Sequence, residues 1–234
     1  MGAIDRLDLR GCLRTVGDQG PRGTCVSFAV TAIHECHTTP TSASLSSFSE
    51  EVLFWGAKQV DGDQVDGTRF SSASNALGQW GQPSQELWPY DPTRDHRDSS
   101  YTPPPEAIDP ANCHLSALRR TPHDVASIRA ELEIGRPVAI AFRVWGAFLR
   151  AESEPLPAPS VSDLLPTRHA VVVVGHDYHQ SAVLVRNSWG DSWGQAGYLW
   201  VSDQILDLVM DAWVIDEVNS EPEDPKEKHN DEAV

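Results

Sequence analysis

The 234-residue sequence has few cysteines, few lysines and no long apolar run, and each shortage excludes a class of protein. Its four cysteines are Cys12, Cys25, Cys36 and Cys113, and none are paired at the C-x-x-C spacing of a structural zinc site. No apolar stretch is long enough to span a bilayer, and the charged N-terminus lacks the apolar segment of a secretory signal. We therefore expect a cytoplasmic chain with reduced thiols, without disulfides and without a structural zinc site.

Positive charge is also scarce, since 18 basic residues face 34 acidic residues, for a formal net charge of −16. Nucleic-acid binding needs a concentrated positive field, so neither nucleic acid nor a membrane is an expected partner. The last residues, 219–234, are acidic and nearly free of large apolar side chains. They are predicted to form a disordered tail.

Two regions with different hydrophobic periods make up the rest of the chain. Residues 1–110 contain three predicted helices, which begin near Cys25, Ser49 and Ser71. Residues 111–218 contain a helix after Asp124 and then valine-rich and aromatic runs typical of strands, at 138–145, 170–175, 182–186 and 198–201. The sequence predicts an α+β protein with a helical lobe over 1–110, whose N-terminal segment can cross to the other lobe, and a β-rich lobe over 111–218.

The most informative stretch is 19–25, Gln-Gly-Pro-Arg-Gly-Thr-Cys, which ends where the first helix begins. This helix is predicted to be buried, because the residues that follow Cys25 are apolar on nearly every face. A cysteine at a helix N-terminus lies at the positive end of the helix dipole, where the thiolate is favoured. Cys25 is thus a candidate nucleophile, although a free cysteine is more often a buried structural thiol.

A cysteine nucleophile needs a base and a group that orients the base, and the β-rich region offers both. A proline-rich loop over 152–167 leads to His169, at the start of a valine strand, and His176 after that strand is its rival. Asn187 follows the next strand, in the segment Asn-Ser-Trp-Gly-Asp-Ser-Trp-Gly-Gln-Ala-Gly-Tyr. We predict that His169 and Asn187 meet at the ends of adjacent strands and face Cys25 across a cleft.

An acidic loop that begins at Asp61 superficially resembles a calcium-binding loop. Its fifth position is Val65, its glycine comes one residue late at Gly67, and its twelfth position is a serine instead of glutamate. The sequence therefore excludes calcium at this loop. His34 and His37 stand three residues apart on the first helix, but a solvated helix end near two histidines is commoner than a metal site.

Together, these residues give the chain a resemblance to the papain-like cysteine peptidases, over roughly residues 8–216. The strongest part is the asparagine segment, which has the family pattern N-S-W-G-x-x-W-G-x-x-G-Y at every fixed position. Gln19, six residues before Cys25, and the H-A-V-x-x-V-G run at His169 support it. The resemblance implies a two-lobe fold, with a helical lobe, a β-barrel-like lobe and an active-site cleft between them.

The resemblance also implies a reaction, which is hydrolysis of protein or peptide substrates through a thioester, and it implies no metal and no cofactor. Gln19→Ala, which would remove an implied donor to the oxyanion, should lower kcat by about 10²–10³, a severe but incomplete defect. The implied catalytic residues are the nucleophile Cys25, its proton partner His169, the orienting Asn187 and the oxyanion donor Gln19, which acts with the Cys25 N–H. The implied substrate-binding residues are Gly67, whose backbone pairs with an extended substrate, and Trp189, which covers the histidine–asparagine contact.

Several departures from the family pattern bear on activity. Arg22 stands where a disulfide cysteine is usual, Val26 replaces a tryptophan, and Asp66 replaces a glycine. Arg168 beside the histidine would disfavour the imidazolium and favour the thiolate. The start of the chain resembles a mature enzyme without a prosegment, so we expect a regulatory protein partner and a bacterial-type member of the family.

Two other functions remain open at this point. One is a catalytically silent papain-like binding module, which Val26 and Arg168 favour. The other is an amidase or transferase that forms the same thioester on a non-peptide substrate. Rapid labelling of Cys25 by a thiol reagent would separate the enzymes from the silent module.

Overall fold

The computed structural model describes residues 5–38, 47–151 and 154–216, and the predicted acidic tail lies outside them. The helices are α1 (Cys25–Thr38), α2 (Glu50–Asp61), α3 (Phe70–Gln79), α4 (Val125–Glu133) and α5 (Gly146–Arg150). The strands are β1 (Arg6–Asp8), β2 (Ala117–Arg120), β3 (Val138–Trp145), β4 (Leu164–Asp177), β5 (Ala182–Arg186), β6 (Tyr198–Ser202) and β7 (Asp211–Asp216). Among these described residues, every helix is too short or too polar to cross a membrane.

The helices of the first region form where capping and apolar patterns predict them. Ser49 Oγ accepts a hydrogen bond from the Val52 N–H at 3.1 Å and caps α2, and Gly62 in the left-handed region ends it. Helix α1 is buried along nearly its whole length, as its apolar residues on all faces predict. It packs on α2 and α3 and also on the sheet. Its first residue, Cys25, therefore lies where the helices meet the strands.

The seven strands form one antiparallel sheet, in the order β2-β7-β3-β4-β5-β6 with β1 added on β4. Successive residues of β4 face opposite sides, so Ala170, Val172 and Val174 pack with α1. Val171 and Val173 pack with α4 and α5 instead. The predicted α+β class is confirmed. The sheet is open, with β2 and β6 at the ends of its strand order, and is not a closed barrel.

Strand β4 begins at Leu164, inside the stretch predicted to be a proline-rich loop. The register between β3 and β4 shifts between the pairs Arg143–Arg168 and Trp145–Leu164. Pro166 falls at this irregularity, where a residue without an N–H is tolerated in a strand. The start of β4 is largely exposed, so no apolar alternation marks it in the sequence.

Cys12 and Cys36 form a disulfide, so the prediction of a disulfide-free chain is wrong. Cys12 ends a short 3-10 turn (Arg10–Cys12), Cys36 lies near the end of α1, and their Cα atoms are 4.8 Å apart. A sequence separation of 24 does not reveal this contact, because it depends on how the N-terminal segment crosses α1. The cysteines no longer argue for a reducing compartment, and the cytoplasmic location stays a prediction.

Replacing both Cys12 and Cys36 by serine should lower the free energy of unfolding by about 3 kcal/mol, because the bond restricts the unfolded chain. Denaturant unfolding under oxidising conditions measures this loss. Cys113→Ser is the matched control, since Cys113 is not in a disulfide. Equal unfolding midpoints for the double variant and the unmodified chain would contradict the prediction.

Candidate active site

Cys25 is the first residue of α1, as the nucleophile hypothesis requires. The backbone N–H groups of Ala170, Val26 and Cys25 itself lie near enough to its sulfur to lower the thiol pKa. Ala170 directly follows His169 in β4, so the thiol lies beside the point where that strand becomes buried. Only 3% of Cys25 is exposed. The thiol is thus held between the start of α1 and β4.

His169 and Asn187 meet, as predicted, but His169 lies inside β4 and not at its start, whereas Asn187 directly follows β5. His169 Nε2 lies 2.6 Å from Asn187 Oδ1, and the Ser188 N–H donates to the same oxygen at 2.8 Å. A carbonyl oxygen only accepts, so Nε2 carries the proton and Nδ1 is left as the basic nitrogen. The structure therefore orients the imidazole through the Asn187 side-chain oxygen.

Trp189 covers this contact. Its ring stacks on the His169 imidazole with 4.4 Å between centroids and 24° between planes. Phe148 of α5 packs edge-on against the same indole, at 5.7 Å. Both His169 and Asn187 are 4% exposed, so the hydrogen bond between them is shielded from water.

Gln19 is fixed by its neighbours on both sides of its amide group. Its Oε1 accepts from the Ser188 hydroxyl at 2.6 Å, and its Nε2 donates to the Arg22 carbonyl at 2.7 Å. Its backbone N–H donates to the Ser188 carbonyl at 2.8 Å, and its backbone carbonyl accepts from the Tyr90 hydroxyl at 2.7 Å. Sequence reasoning gave Ser188 no role, although it stands inside the diagnostic asparagine segment. Ser188 joins Gln19 to Asn187.

Burial dominates the proton affinities of the cysteine and the histidine. It raises the pKa of Cys25 to about 11, against the backbone N–H donors that lower it. It lowers the pKa of His169 to about 4, against the hydrogen bond to Asn187 that raises it. Both groups are therefore neutral at pH 7 in this arrangement, whereas the helix N-terminus alone predicted a thiolate.

Alkylation of Cys25 by iodoacetamide should accelerate about tenfold per pH unit from pH 7 towards pH 11, because only the thiolate reacts. The raised pKa leaves the thiolate a small fraction at every pH below it. Peptide mapping by mass spectrometry after timed labelling gives the rate, with Cys113 as an internal reference. A rate already maximal at pH 6 would indicate a thiolate–imidazolium pair in the free protein and would contradict this prediction.

Gly67 packs against the nucleophile loop, which we define as residues 19–25. Its φ of 121° is in a region that side-chain-bearing residues rarely adopt, which accounts for a glycine here. A Cβ on Gly23 would stand 2.7 Å from the Gly67 nitrogen, so the two backbones are in close contact. The Gly23 N–H donates to Asp66 Oδ1 at 3.0 Å. The structure therefore brings Gly67 and Asp66 near Cys25, and Asp66 is among the groups that raise the cysteine pKa.

Arg22 is buried and makes a bidentate ion pair with Glu51, at 2.7 and 2.9 Å. It also donates to the Asp91 carbonyl at 2.8 Å, and its guanidinium lies 5.0 Å from the centre of the Tyr90 ring. Glu51 is in the first turn of α2, so this pair fixes the loop before Cys25 to that helix. The sequence identified the substitution at Arg22 but not its partner.

No group of three or more histidine, cysteine, aspartate or glutamate residues in the described ranges could hold a metal ion. His34 is buried and its Nδ1 lies 2.9 Å from Gln82 Oε1, whereas His37 is exposed. The absence of a cofactor stays a prediction.

Comparison with known proteins gives concordant matches. The family model described as papain family cysteine protease matches residues 3–210. An uncharacterised peptidase C1-like protein, L477, of Acanthamoeba polyphaga mimivirus is 25% identical over 226 residues, which are 86% of this chain and 69% of that protein. A cathepsin L-like proteinase of Fasciola hepatica is 28% identical over 214 residues, 83% of this chain and 59% of that protein. Xylellain, a cysteine protease from Xylella fastidiosa, superposes with a TM-score of 0.81 at 24% identity, over 93% of this chain and 88% of that chain.

The superposition on xylellain confirms the predicted papain-like fold. The sources of the relatives are varied and do not support the bacterial-type assignment. The chain spans 69%, 59% and 51% of the lengths of three curated relatives that it matches. Because the family model extends over most of the sequence and the fold agrees with it, the chain belongs to the papain family of cysteine proteases.

Proposed function

We propose that the chain is a cysteine endopeptidase that hydrolyses peptide bonds in protein or peptide substrates. The observation that carries the proposal is the 2.6 Å contact between His169 Nε2 and Asn187 Oδ1, together with the place of Cys25 at the start of α1 and near Ala170, the residue after His169. This contact leaves Nδ1 as the free ring nitrogen, and in our proposal Nδ1 is the base that faces the Cys25 thiol. This is the constellation that nucleophilic catalysis by cysteine requires.

In the proposed mechanism, His169 Nδ1 takes the thiol proton as the Cys25 sulfur attacks the carbonyl carbon of the peptide. The oxyanion accepts hydrogen bonds from Gln19 Nε2 and the Cys25 N–H. The C–N bond then breaks, His169 gives its proton to the leaving amine, and a thioester remains. Water then attacks the carbonyl carbon of the thioester while His169 Nδ1 takes a proton from the water. The C–S bond breaks, the carboxylic acid leaves, and His169 returns the proton to the Cys25 sulfur.

We further propose that access to Cys25 is restricted, with a regulatory protein as the partner that controls it. The support is the 3% exposure of the residue, together with the neutral state that burial imposes on the cysteine and the histidine. If the purified chain cleaved generic unfolded proteins at full rate without additions, this restriction would be wrong.

Digestion of a mixed peptide library, read by mass spectrometry, tests the proposed activity. We expect internal cleavage that stops when a thiol-directed epoxide has modified Cys25. Labelling of Cys25 with turnover of non-peptide amides only would replace the proposal with an amidase or transferase. Peptides that bind but are never cleaved, with Cys25 unlabelled throughout, would replace it with a silent binding module.

A further inference from the structure

Lys58 is the only lysine in the described part of the chain, and only 5% of its side chain is exposed. Its ammonium contacts Asp61 Oδ2 at 3.2 Å and Asp63 Oδ1 at 2.6 Å. It also contacts two backbone carbonyls, those of Val65 at 2.9 Å and Gly67 at 3.1 Å. These four oxygens replace the water that a free ammonium would bind.

The four oxygens belong to the first, third, fifth and seventh positions of the acidic loop, which its sequence excludes as a calcium site. In a calcium loop the same positions direct oxygen atoms at the metal. Here three of the four nitrogen–oxygen distances are 2.9–3.2 Å, longer than the calcium–oxygen contacts of about 2.3–2.6 Å, and only the contact with Asp63 is as short as 2.6 Å. The loop is closed around a cation that the chain itself supplies.

Asp61 ties the same loop to α3. Its side chain is 1% exposed and accepts hydrogen bonds from Thr68 Oγ1 at 2.8 Å and from Ser72 Oγ at 2.6 Å. The pKa of Asp63 is lowered, chiefly by the hydrogen bond from Lys58. A buried carboxylate and an ammonium thus hold the two ends of the loop together.

The clamped loop ends against the nucleophile loop. The Gly67 carbonyl bonds to Lys58, while the Gly67 nitrogen lies close against Gly23, two residues before Cys25. Asp66, the residue before Gly67, accepts a hydrogen bond from the Gly23 N–H through its Oδ1. Without the ammonium, the backbone of Gly67 would lose a contact that holds it in place against Gly23.

We propose that Lys58 is a positioning residue, whose ammonium acts as the internal cation of the 61–67 loop and holds Gly67 and Asp66 at the substrate-binding edge. This inference rests on the proposed function, because it takes Gly67 as a backbone partner of an extended substrate. Lys58 itself touches no reacting atom.

Two substitutions of Lys58 and a small amine test the proposal. Lys58→Met and Lys58→Ala should each raise KM for a long peptide roughly five- to tenfold, because a contact that positions the substrate-binding backbone is lost. The value of kcat should stay within about twofold, because neither variant changes a reacting group. Methylammonium chloride should lower the KM of Lys58→Ala, where the amine fits the vacated space. It should not do so for Lys58→Met, whose side chain fills that space, and tetramethylammonium chloride controls for ionic strength.

Amide hydrogen exchange gives a readout that does not require activity. Peptides that contain Gly23 and Val65 should exchange faster in both Lys58 variants, and methylammonium should slow exchange in Lys58→Ala only. Asp63→Asn is a milder change, because the Asp63 side chain is 36% exposed, and this variant tests the proposal if the Lys58 variants do not fold. It should raise KM by two- to threefold, and the exposed Asp109→Asn, outside the loop, should not.

Unchanged KM and exchange in Lys58→Met and in Asp63→Asn would overturn the proposal, as would a Lys58→Ala variant that methylammonium does not affect. If hydrogen exchange responds as expected but the unmodified chain cleaves no peptide, Lys58 still positions the 61–67 loop and the proposed function is wrong.

Discussion

A Cys25→Ser variant should lose at least about 10⁴-fold in kcat/KM, because removing a catalytic nucleophile has effects of this size or larger. The hydroxyl is a far weaker acid than the thiol, and a neutral His169 with a lowered pKa cannot ionise it readily. The substitution changes one atom in a site that is 3% exposed, so the fold should persist. Initial rates on a cleaved peptide, with circular dichroism to check folding, measure the effect.

The matched control is Cys113→Ser, which changes the other cysteine outside the disulfide. It should leave kcat/KM within about twofold, because surface substitutions outside such sites have small effects. His169→Ala should cost as much as Cys25→Ser, and the double variant no more than either alone, because the two groups act as a unit. A Cys25→Ser variant that kept a tenth of the activity would remove Cys25 from the mechanism.

Arg22→Met should lower the free energy of unfolding by about 3–5 kcal/mol, the cost of leaving a buried charge without its partner. Glu51 is fully buried, and Arg22 forms two of its shortest contacts. The hydrogen bond from the Tyr101 hydroxyl at 2.6 Å and the Arg94 contact at 3.2 Å do not replace the lost bidentate pair. Denaturant unfolding gives the loss.

Two further variants show whether the buried charge is the cause. Adding Glu51→Gln to Arg22→Met should recover part of the loss, because the amide keeps the acceptor for Tyr101 without the charge. Arg97→Met breaks an ion pair that is 57% exposed on the arginine side, and it should leave the unfolding midpoint unchanged. Equal midpoints for Arg22→Met and Arg97→Met would show that the Arg22–Glu51 pair does not stabilise the fold.

The features that the sequence predicted correctly are local ones. The cap at Ser49 and the apolar faces of α1 each lie within a few residues of the structure they determine. The segment around Asn187 is equally local, since its glycines Gly190, Gly194 and Gly197 take positive φ values in the connection between β5 and β6. The fold class followed from such local patterns and from their order along the chain.

What the sequence did not show depends on distant parts of the chain. The Cys12–Cys36 bond and the Arg22–Glu51 pair join residues whose proximity only the packed helices create. The effect of burial on the Cys25 pKa was missed for the same reason, because a helix dipole is visible in a sequence but burial in the packed fold is not. The resemblance of the acidic loop to a calcium site pointed to a metal ion, whereas the cation in the structure is the ammonium of Lys58, one helical turn before Asp61.

The ion pair at Arg22 makes the loop before the nucleophile insensitive to reductants. A thiol enzyme is stored and assayed with reducing agents that keep its cysteine free, and a disulfide beside that cysteine would be open to the same exchange. In this chain the only disulfide among the described residues joins Cys12 to Cys36, and the Arg22–Glu51 link has no sulfur to exchange. Reductants can therefore regenerate Cys25 without breaking the link between the loop before it and α2.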